Sequence, residues 1–208
     1  MIRGRYKMKL LLTSAGFEKN PKIGKKFLEM IGKSASKIKV IFVPTASEAE
    51  SYRGYIEDDR KNLLKLGIKE ANIKTLCLDH EIDYLEVENY NVIHVCGGNT
   101  FYLLKKVRES GFDKIIKKFI KSDGIYMGIS AGSILMGPNI EIAKLGDKNV
   151  CGVTDFTGLN YTDVAIFPHY NEKEREKVEE FKKKVDYPVL ALTDNQALLI
   201  LKVKLIMK

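Results

Sequence analysis

Residues 124–133 have the sequence GIYMGISAGS, an apolar run that ends in the pentapeptide Gly-Ile-Ser-Ala-Gly. The run predicts a buried strand, and the small residues around Ser130 predict a sharp turn into a helix. Glycines on both sides of the serine permit such a turn without a steric clash at Cβ. The turn would expose the Ser130 hydroxyl at the carboxyl edge of a sheet, beside helical N–H groups that can stabilise an oxyanion. Ser130 is therefore a candidate nucleophile.

Short apolar strands alternate with amphipathic helices through the first two thirds of the chain. Strands are predicted at residues 9–14, 39–44, 74–78, 91–96, 124–129 and 163–169. Strands that are apolar on both faces are typical of a parallel sheet covered by helices on each side, which predicts an α/β fold. Near the end of the chain, residues 188–192 and 197–207 are predicted to form a β-hairpin around Thr193-Asp194-Asn195.

The length of 208 residues suits one α/β domain, and no linker or change in composition divides the chain. Met8 begins the first clear strand, so residues 1–7 are interpreted as an N-terminal extension and residues 8–208 as a single domain. No apolar run approaches the ~18 residues of a membrane span, and no signal peptide is recognised. A cytoplasmic protein without membrane contact is expected.

The net charge of +8 comes largely from lysines spread over helical faces. A solvated lysine-rich surface is the preferred explanation, and no nucleic-acid partner is expected, because the sequence lacks arginine clusters interleaved with aromatic residues. The three cysteines, Cys77, Cys96 and Cys151, are irregularly spaced. They are expected to be reduced thiols rather than a disulfide framework.

Polar or glycine-rich turns follow several of the predicted strands. In parallel α/β sheets, sites form at the carboxyl ends of the strands, so these turns should meet at one edge. The turns are Ser14-Ala15-Gly16, Pro44-Thr45-Ala46-Ser47, Gly97-Gly98-Asn99 and Ser130-Ala131-Gly132, and His169 ends a fifth strand. Their convergence predicts a functional site at that edge.

A serine hydroxyl needs a base within hydrogen-bonding reach to act as a nucleophile, and the base is usually a histidine. The chain has three histidines. His94 lies inside an apolar run and is expected in the core, whereas His80 lies among loop acids and is expected to be exposed. His169 follows a strand and a proline at the edge where Ser130 is expected, so His169 is the predicted base.

The acid that orients such a base must be an aspartate or a glutamate. Between Ser130 and His169 the chain offers four candidates among which residue chemistry does not choose: Glu141, Asp147, Asp155 and Asp163. The expected oxyanion donors are the backbone N–H of Ala131 and an N–H from Gly97-Gly98, where two glycines let the main chain approach a substrate closely.

With these residues assembled, the chain resembles the dipeptidase E family of serine peptidases, which also includes the cyanophycinases. The resemblance rests on six motifs, at residues 12–16 (LTSAG), 43–47 (VPTAS), 96–100 (CGGNT), 128–132 (GISAG), 167–170 (FPHY) and 192–195 (LTDN). It implies a three-layer α/β/α sandwich, flavodoxin-like and similar to the class I glutamine amidotransferases. Those enzymes place a cysteine where this chain has Ser130.

The resemblance also implies roles for individual residues. Ser130 would be the nucleophile, His169 the base and Asp147 the acid. Gly98 and Ala131 would supply the oxyanion hole, and substrate contacts would come from Gly97, Asn99 and Arg175. No metal ion or other cofactor is expected.

The best-known activity of the family is the hydrolysis of dipeptides with an amino-terminal aspartate, whose recognition needs a cation. Arg175 is the candidate cation, although its segment is shorter than the corresponding one in dipeptidase E. The sequence therefore predicts a serine peptidase, monomeric or homodimeric, that acts on dipeptides or short peptides. An amidase or esterase acting on a small acyl compound, and a catalytically idle ligand-binding relative, are the alternatives.

Overall fold

The computed structural model describes the backbone of residues 2–207 and the side chains of residues 6–203. The strands in this range are β1 (Ile2–Thr13), β2 (Val40–Val43), β3 (Ile73–Thr75), β4 (Val92–Val95), β5 (Ile125–Ile129), β6 (Ala165–Phe167), β7 (Val189–Ala191) and β8 (Ala197–Met207). The α-helices are α1 (Pro21–Ile31), α2 (Gly54–Lys65), α3 (Thr100–Glu109), α4 (Phe112–Lys121), α5 (Ala131–Ile134) and α6 (Arg175–Lys182). None of the described helices has the length and hydropathy that crossing a bilayer requires.

The central sheet has six strands in the order β3-β2-β4-β5-β1-β8. Strands β1 to β5 run parallel to one another, and β8 lies antiparallel to β1 at one edge. Strands β6 and β7 form a separate parallel pair. The predicted α/β class with a mostly parallel central sheet is confirmed.

Helices cover both faces of the central sheet. On one face, Leu10 and Leu12 of β1 pack in a core with residues of α3, α4 and α5. On the other face, Leu11 packs in a second core with residues of α1 and α2. Alternate residues of one strand enter different cores, which explains why the buried strands are apolar on both faces. The three layers form the α/β/α sandwich that the resemblance implied.

The register of the strands brings their carboxyl ends together at one edge of the sheet. Gly128 of β5 lies between Leu12 of β1 and Val95 of β4. The turns that follow these three strands therefore begin side by side. They carry Ser130 after β5, Ser14 after β1 and the Gly97-Gly98 pair after β4.

Two predicted elements near the chain ends differ from the structure. Strand β1 begins at Ile2 rather than at Met8, because residues 2–7 continue the antiparallel ladder with β8. The predicted hairpin does not form, since β7 pairs with β6 while β8 pairs with β1. The long edge of β1 offers β8 more backbone hydrogen bonds than a three-residue strand can. That residues 8–208 form a single domain stays a prediction.

Candidate active site

Ser130 lies at a sharp turn between β5 and α5. Its backbone has φ 49° and ψ −109°, a positive φ that residues other than glycine rarely adopt. The Ser130 N–H donates to Thr13 O at 3.1 Å, and the Ser133 hydroxyl donates to the same oxygen at 2.8 Å. A Cβ at Gly128 would lie 2.5 Å from Gly132 O, so this close approach requires glycine. The strand–turn–helix geometry predicted around Ser130 is present.

His169 follows β6 and Pro168 at the carboxyl edge. Its Nε2 lies 3.0 Å from Ser130 Oγ. The backbone of His169 also has a positive φ, of 56°, and its N–H donates to Ser14 Oγ at 2.7 Å. The structure thus brings together the nucleophile and the base that were predicted from separate strand ends.

The carboxylate that contacts His169 belongs to Asp194, in the connection between β7 and β8. Asp194 Oδ1 lies 2.7 Å from His169 Nδ1. The same oxygen accepts a hydrogen bond from the Ser14 hydroxyl at 2.9 Å. Asp194, His169 and Ser130 therefore form a continuous hydrogen-bonded chain. The buried Ser14 hydroxyl also bridges Asp194 and the backbone of His169.

Asp147 does not occupy the position beside His169 that the sequence analysis predicted. Its Oδ2 instead accepts a hydrogen bond from the Thr100 backbone N–H at 2.8 Å, at the amino terminus of α3. Burial raises the pKa of Asp147, and the Thr100 hydrogen bond and the charge of His169 oppose that rise. The other candidate acids each pair with a cation: Glu141 with Lys144, Asp155 with Arg108, and Asp163 with Lys202.

The Gly97-Gly98 turn lies directly beside the nucleophile. A Cβ at Gly97 would lie 3.3 Å from Ser130 Cβ. Gly98 lines a cavity together with Ser130 and His169. Ala131 is the first residue of α5, where helical N–H groups have no partner within the helix. Both stretches of backbone that were expected to supply oxyanion donors are therefore adjacent to Ser130.

Two of the predicted substrate contacts are engaged elsewhere. The Asn99 side chain is 3% exposed; it accepts from Tyr102 N–H at 3.0 Å as the cap of α3 and donates to Lys148 O at 2.8 Å. Arg175 is exposed and pairs with Glu172 at 2.5 Å, one turn away. Asn99 thus supports the loop that carries Asp147, and Arg175 lies outside the lining of the cavities at Ser130.

Two cavities meet at Ser130, Asp147 and His169. The larger, which we call the acidic cavity, has a volume of about 450 Å³ and carries four further carboxylates, those of Glu18, Glu50, Asp58 and Asp59. The smaller, which we call the apolar cavity, has a volume of about 330 Å³. Its wall is formed largely by Ile134, Ile142, Ala143, Leu145, Phe167 and Pro168, with Glu174 and Lys177 also present.

The acidic cavity has a strongly one-sided charge. No lysine or arginine contributes to its wall in the part of the chain that the structure describes. Burial raises the pKa of Asp59 to about 7, and the neighbouring carboxylates of Asp58 and Glu18 add to the rise. The cavity therefore attracts cations and opposes anions.

Comparison with known proteins decides the family. The model of peptidase family S51 matches residues 10–207. The chain belongs to peptidase family S51. The dipeptidase E resemblance is thereby confirmed, and this S51 chain is a member of a family of peptide hydrolases.

The relatives of this S51 chain include several bacterial proteins. An uncharacterised peptidase of Listeria innocua is 38% identical over 136 residues, which cover 64% of each chain. A peptidase E of Shigella flexneri is 31% identical over 131 residues, covering 62% of this chain and 54% of its own length. The match thus spans less than two thirds of the length of each of these two relatives.

Solved structures with the same fold are also similar to this chain. A putative peptidase E protein from Listeria monocytogenes superposes with a TM-score of 0.80 at 28% identity, covering 96% of this chain and 98% of its own. A peptidase from an acI-B1 actinobacterium, at 19% identity and a TM-score of 0.64, covers 92% of this chain and 82% of its own and shares the fold.

Sequence reasoning missed Asp194 and the role of Ser14. Asp194 lies within the motif at residues 192–195, which the sequence analysis interprets as a hairpin turn and as part of the family resemblance. It also follows the end of β7, so the rule that sites gather at strand ends applied to it as well. The four candidate acids all lie between Ser130 and His169, whereas Asp194 follows His169 in the chain.

Proposed function

We propose that this S51 chain is a serine peptidase acting on dipeptides or short peptides. The observation that carries the proposal is the hydrogen-bonded chain from Asp194 through His169 to Ser130, with contacts of 2.7 Å and 3.0 Å. This order of carboxylate, imidazole and hydroxyl is the arrangement that activates a serine toward a carbonyl carbon.

In the proposed reaction, Ser130 Oγ attacks the peptide carbonyl while His169 Nε2 takes the hydroxyl proton. Asp194 holds the imidazole in the tautomer that presents Nε2 as the acceptor, and its charge stabilises the imidazolium that forms. The backbone N–H groups of Ala131 and Gly98 stabilise the oxyanion. His169 then gives its proton to the leaving amine, and an acyl-enzyme remains on Ser130.

A water molecule completes the proposed cycle. His169 removes a proton from the water as it attacks the acyl carbonyl, and then returns a proton to Ser130 Oγ as the acid product leaves. The exposed position of His169 leaves room for this water beside the imidazole. None of these steps requires a metal ion.

The two cavities suggest how a short peptide lies across Ser130. We assign the amino-terminal ammonium group to the acidic cavity, where its charge is complementary to the carboxylates. The residue after the scissile bond then lies in the apolar cavity, whose wall includes Lys177, and a terminal carboxylate there would compete with Glu174, which pairs with this lysine at 3.0 Å. A substrate with both termini free and close together fits this distribution best.

We do not propose a requirement for an aspartate at the amino terminus of the substrate. Arg175, the cation that the resemblance offered for it, is exposed and paired with Glu172. An aspartate side chain in the acidic cavity would face the like charges of Glu18, Glu50 and Asp58.

A fluorophosphonate probe and the Ser130→Ala variant test the proposal together. We expect the probe to label the wild-type chain at Ser130, and the substitution to abolish both labelling and dipeptide hydrolysis while leaving the circular dichroism spectrum unchanged. Ser122→Ala, at an exposed serine outside the site, serves as the control and should retain both activities.

The possible results distinguish a peptidase from an amidase or esterase and from an idle binding protein. A wild-type chain that the probe does not label would indicate an idle binding protein. A labelled chain that cleaves simple esters or amides but no dipeptide would indicate the alternative hydrolase. Either result would overturn the peptidase proposal, as would full activity in Ser130→Ala.

A further inference from the structure

Three potential metal ligands from two elements meet behind the Gly97-Gly98 turn. His94 lies in β4 and Cys96 two residues later, so both side chains are on the face of the sheet that α2 covers. Asp59 of α2 lies opposite them. One ligand atom from each residue, a carboxylate oxygen, an imidazole nitrogen and the thiol sulfur, lies within 4.8 Å of the other two.

His94 is the unusual member of this cluster. The side chain is 0% exposed, as the sequence predicted for a core histidine, yet neither ring nitrogen has a hydrogen-bond partner among the described residues. Buried polar groups are almost always paired, so two free nitrogens on one ring call for an explanation. The ring stacks on Phe42 at 5.3 Å and 17°, which leaves both nitrogens directed along the ring plane, away from Phe42.

We propose that Asp59, His94 and Cys96 bind a zinc ion. A mixed set of imidazole, thiolate and carboxylate suits zinc, whereas magnesium and calcium prefer oxygen ligands alone. Bond lengths of about 2.0–2.3 Å in a tetrahedral site separate the ligand atoms by roughly 3.3–3.8 Å. The three atoms of this cluster, each within 4.8 Å of the others, need to approach by about 1 Å or more to reach that spacing.

The surroundings provide a path and an attraction for the ion. Asp59 is half-buried and lines the acidic cavity, so its carboxylate connects the buried pair to solvent. Asp58 and Glu18 line the same cavity and attract a divalent cation. On binding, the Cys96 thiol releases its proton to solvent and binds as a thiolate. The fourth position is left for water from the cavity.

The proposed ion would join α2 to β4 at the residue that precedes the Gly97-Gly98 turn. The ion would hold these two elements in position and would not take part in hydrolysis. The proposed peptidase steps use only Ser130, His169, Asp194 and backbone N–H groups. The zinc proposal therefore does not rest on the proposed function. Its test measures metal content and thermal stability instead of hydrolysis.

The test uses the full chain, stripped with a chelator and then dialysed against a small excess of zinc chloride. We expect one zinc ion per chain by plasma mass spectrometry and a higher unfolding temperature than for the stripped protein, because the ion binds only the folded state. Cobalt(II) in place of zinc should give a thiolate-to-metal charge-transfer absorption band.

Substitutions identify the ligands. We expect Asp59→Asn, His94→Phe and Cys96→Ser each to lower zinc affinity by about tenfold or more, and Cys96→Ser to remove the cobalt charge-transfer band. His94→Phe keeps an aromatic ring against Phe42, and Asp59→Asn changes a half-exposed side chain, so both should fold.

The controls are substitutions of another cysteine and another histidine. Cys77→Ser and His80→Gln remove a thiol and an exposed imidazole outside the cluster, and both should bind zinc like the wild type. The proposal is overturned if the stripped wild type takes up no zinc. It is equally overturned if folded Asp59→Asn and His94→Phe bind zinc as tightly as the wild type, or if His80→Gln removes the bound zinc.

Discussion

At the scale of single residues, the carboxylate at Nδ1 of His169 determines how the imidazole is presented to Ser130. Asp194 occupies that position at 2.7 Å, whereas Asp147 is bound to the Thr100 N–H. A carboxylate at Nδ1 keeps the proton there and leaves Nε2 free to accept one from serine. Asp194 and Asp147 both lie close to His169 but have different hydrogen-bond partners.

Isosteric substitutions separate these two aspartates. Asp194→Asn should lower kcat by about 10⁴-fold, because an amide at this position favours the wrong tautomer. Asp147→Asn keeps an oxygen that can accept from Thr100 N–H. Its kcat should therefore fall by no more than about tenfold, the effect of roughly one weakened hydrogen bond. Steady-state kinetics on one dipeptide measures both. A larger fall in kcat for Asp147→Asn than for Asp194→Asn would indicate that Asp147 is the acid.

Ser14 positions both partners of this contact without touching the reacting atoms. Its buried hydroxyl accepts from the His169 N–H at 2.7 Å and donates to Asp194 at 2.9 Å. A hydrogen bond to a charged group contributes about 1.5–3 kcal/mol, so Ser14→Ala should lower kcat by about 10–100-fold and leave KM nearly unchanged.

Ser110→Ala is the matched control for this substitution. Ser110 is also buried and donates to Lys106 O at 2.7 Å, but it lies outside the site. It should cost stability without affecting kcat. Equal effects of the two substitutions on kcat would show that Ser14 matters only for packing.

At the scale of elements, the position of Asp194 follows from which strands pair. Residues 193–195 are a hairpin turn only if β7 and β8 are neighbours. Because β7 pairs with β6 and β8 with β1, the connection instead passes along the carboxyl edge of the central sheet. The local pattern of turn residues is compatible with both arrangements, so only the long-range pairing distinguishes them.

The Gly97-Gly98 turn is the element whose backbone the proposed oxyanion hole requires. Gly98 has φ 134°, and a Cβ there would lie 2.3 Å from Ala46 C and O. Gly98→Ala must shift this backbone, so we expect a loss of about 1–3 kcal/mol in unfolding free energy together with a large fall in kcat. Denaturant unfolding and kinetics measure the two effects.

Gly32→Ala is the matched control for Gly98→Ala. Gly32 also has a positive φ, of 65°, but it ends α1 outside the lining of both cavities, and a Cβ there would meet nothing within 4 Å. This variant should lose about 1–2 kcal/mol of stability from backbone strain and keep the wild-type kcat. If Gly98→Ala also kept full activity, the turn would have no part in catalysis.

At the scale of the whole molecule, the sequence predicts the fold class because its deciding signals are local. Runs such as residues 124–129 are apolar on both faces, and this pattern alone requires helices on both sides of the sheet. Ser130 and His169 could be predicted for the same reason, since each directly follows a strand. The antiparallel edge strand β8, the β6–β7 pair and the contact of Asp194 depend on partners far away in the chain, which periodicity does not specify.

The distribution of charge over the molecule determines which peptides it should prefer. The chain carries a net charge of +8, yet the acidic cavity at Ser130 carries carboxylates and, within the described residues, no lysine or arginine. Lysine-rich outer surfaces act on a substrate from a distance and are screened by salt, whereas cavity carboxylates act at close range. Local charge should therefore dominate specificity.

Isosteric dipeptides measure this preference directly when the chelator-stripped protein is assayed, because no zinc ion at Asp59 then offsets the charge of the acidic cavity. We expect kcat/KM for Asn-Leu to exceed that for Asp-Leu by about tenfold, since one unfavourable charge contact of roughly 1–1.5 kcal/mol changes the rate by that factor. Lys-Leu should be at least as good as Asn-Leu. In Glu50→Gln, which removes one cavity charge, the ratio of Asn-Leu to Asp-Leu should shrink, and 1 M salt should reduce it further. A chain that prefers Asp-Leu would instead need a cation at the acyl side of Ser130, and the assignment of the ammonium group to the acidic cavity would be wrong.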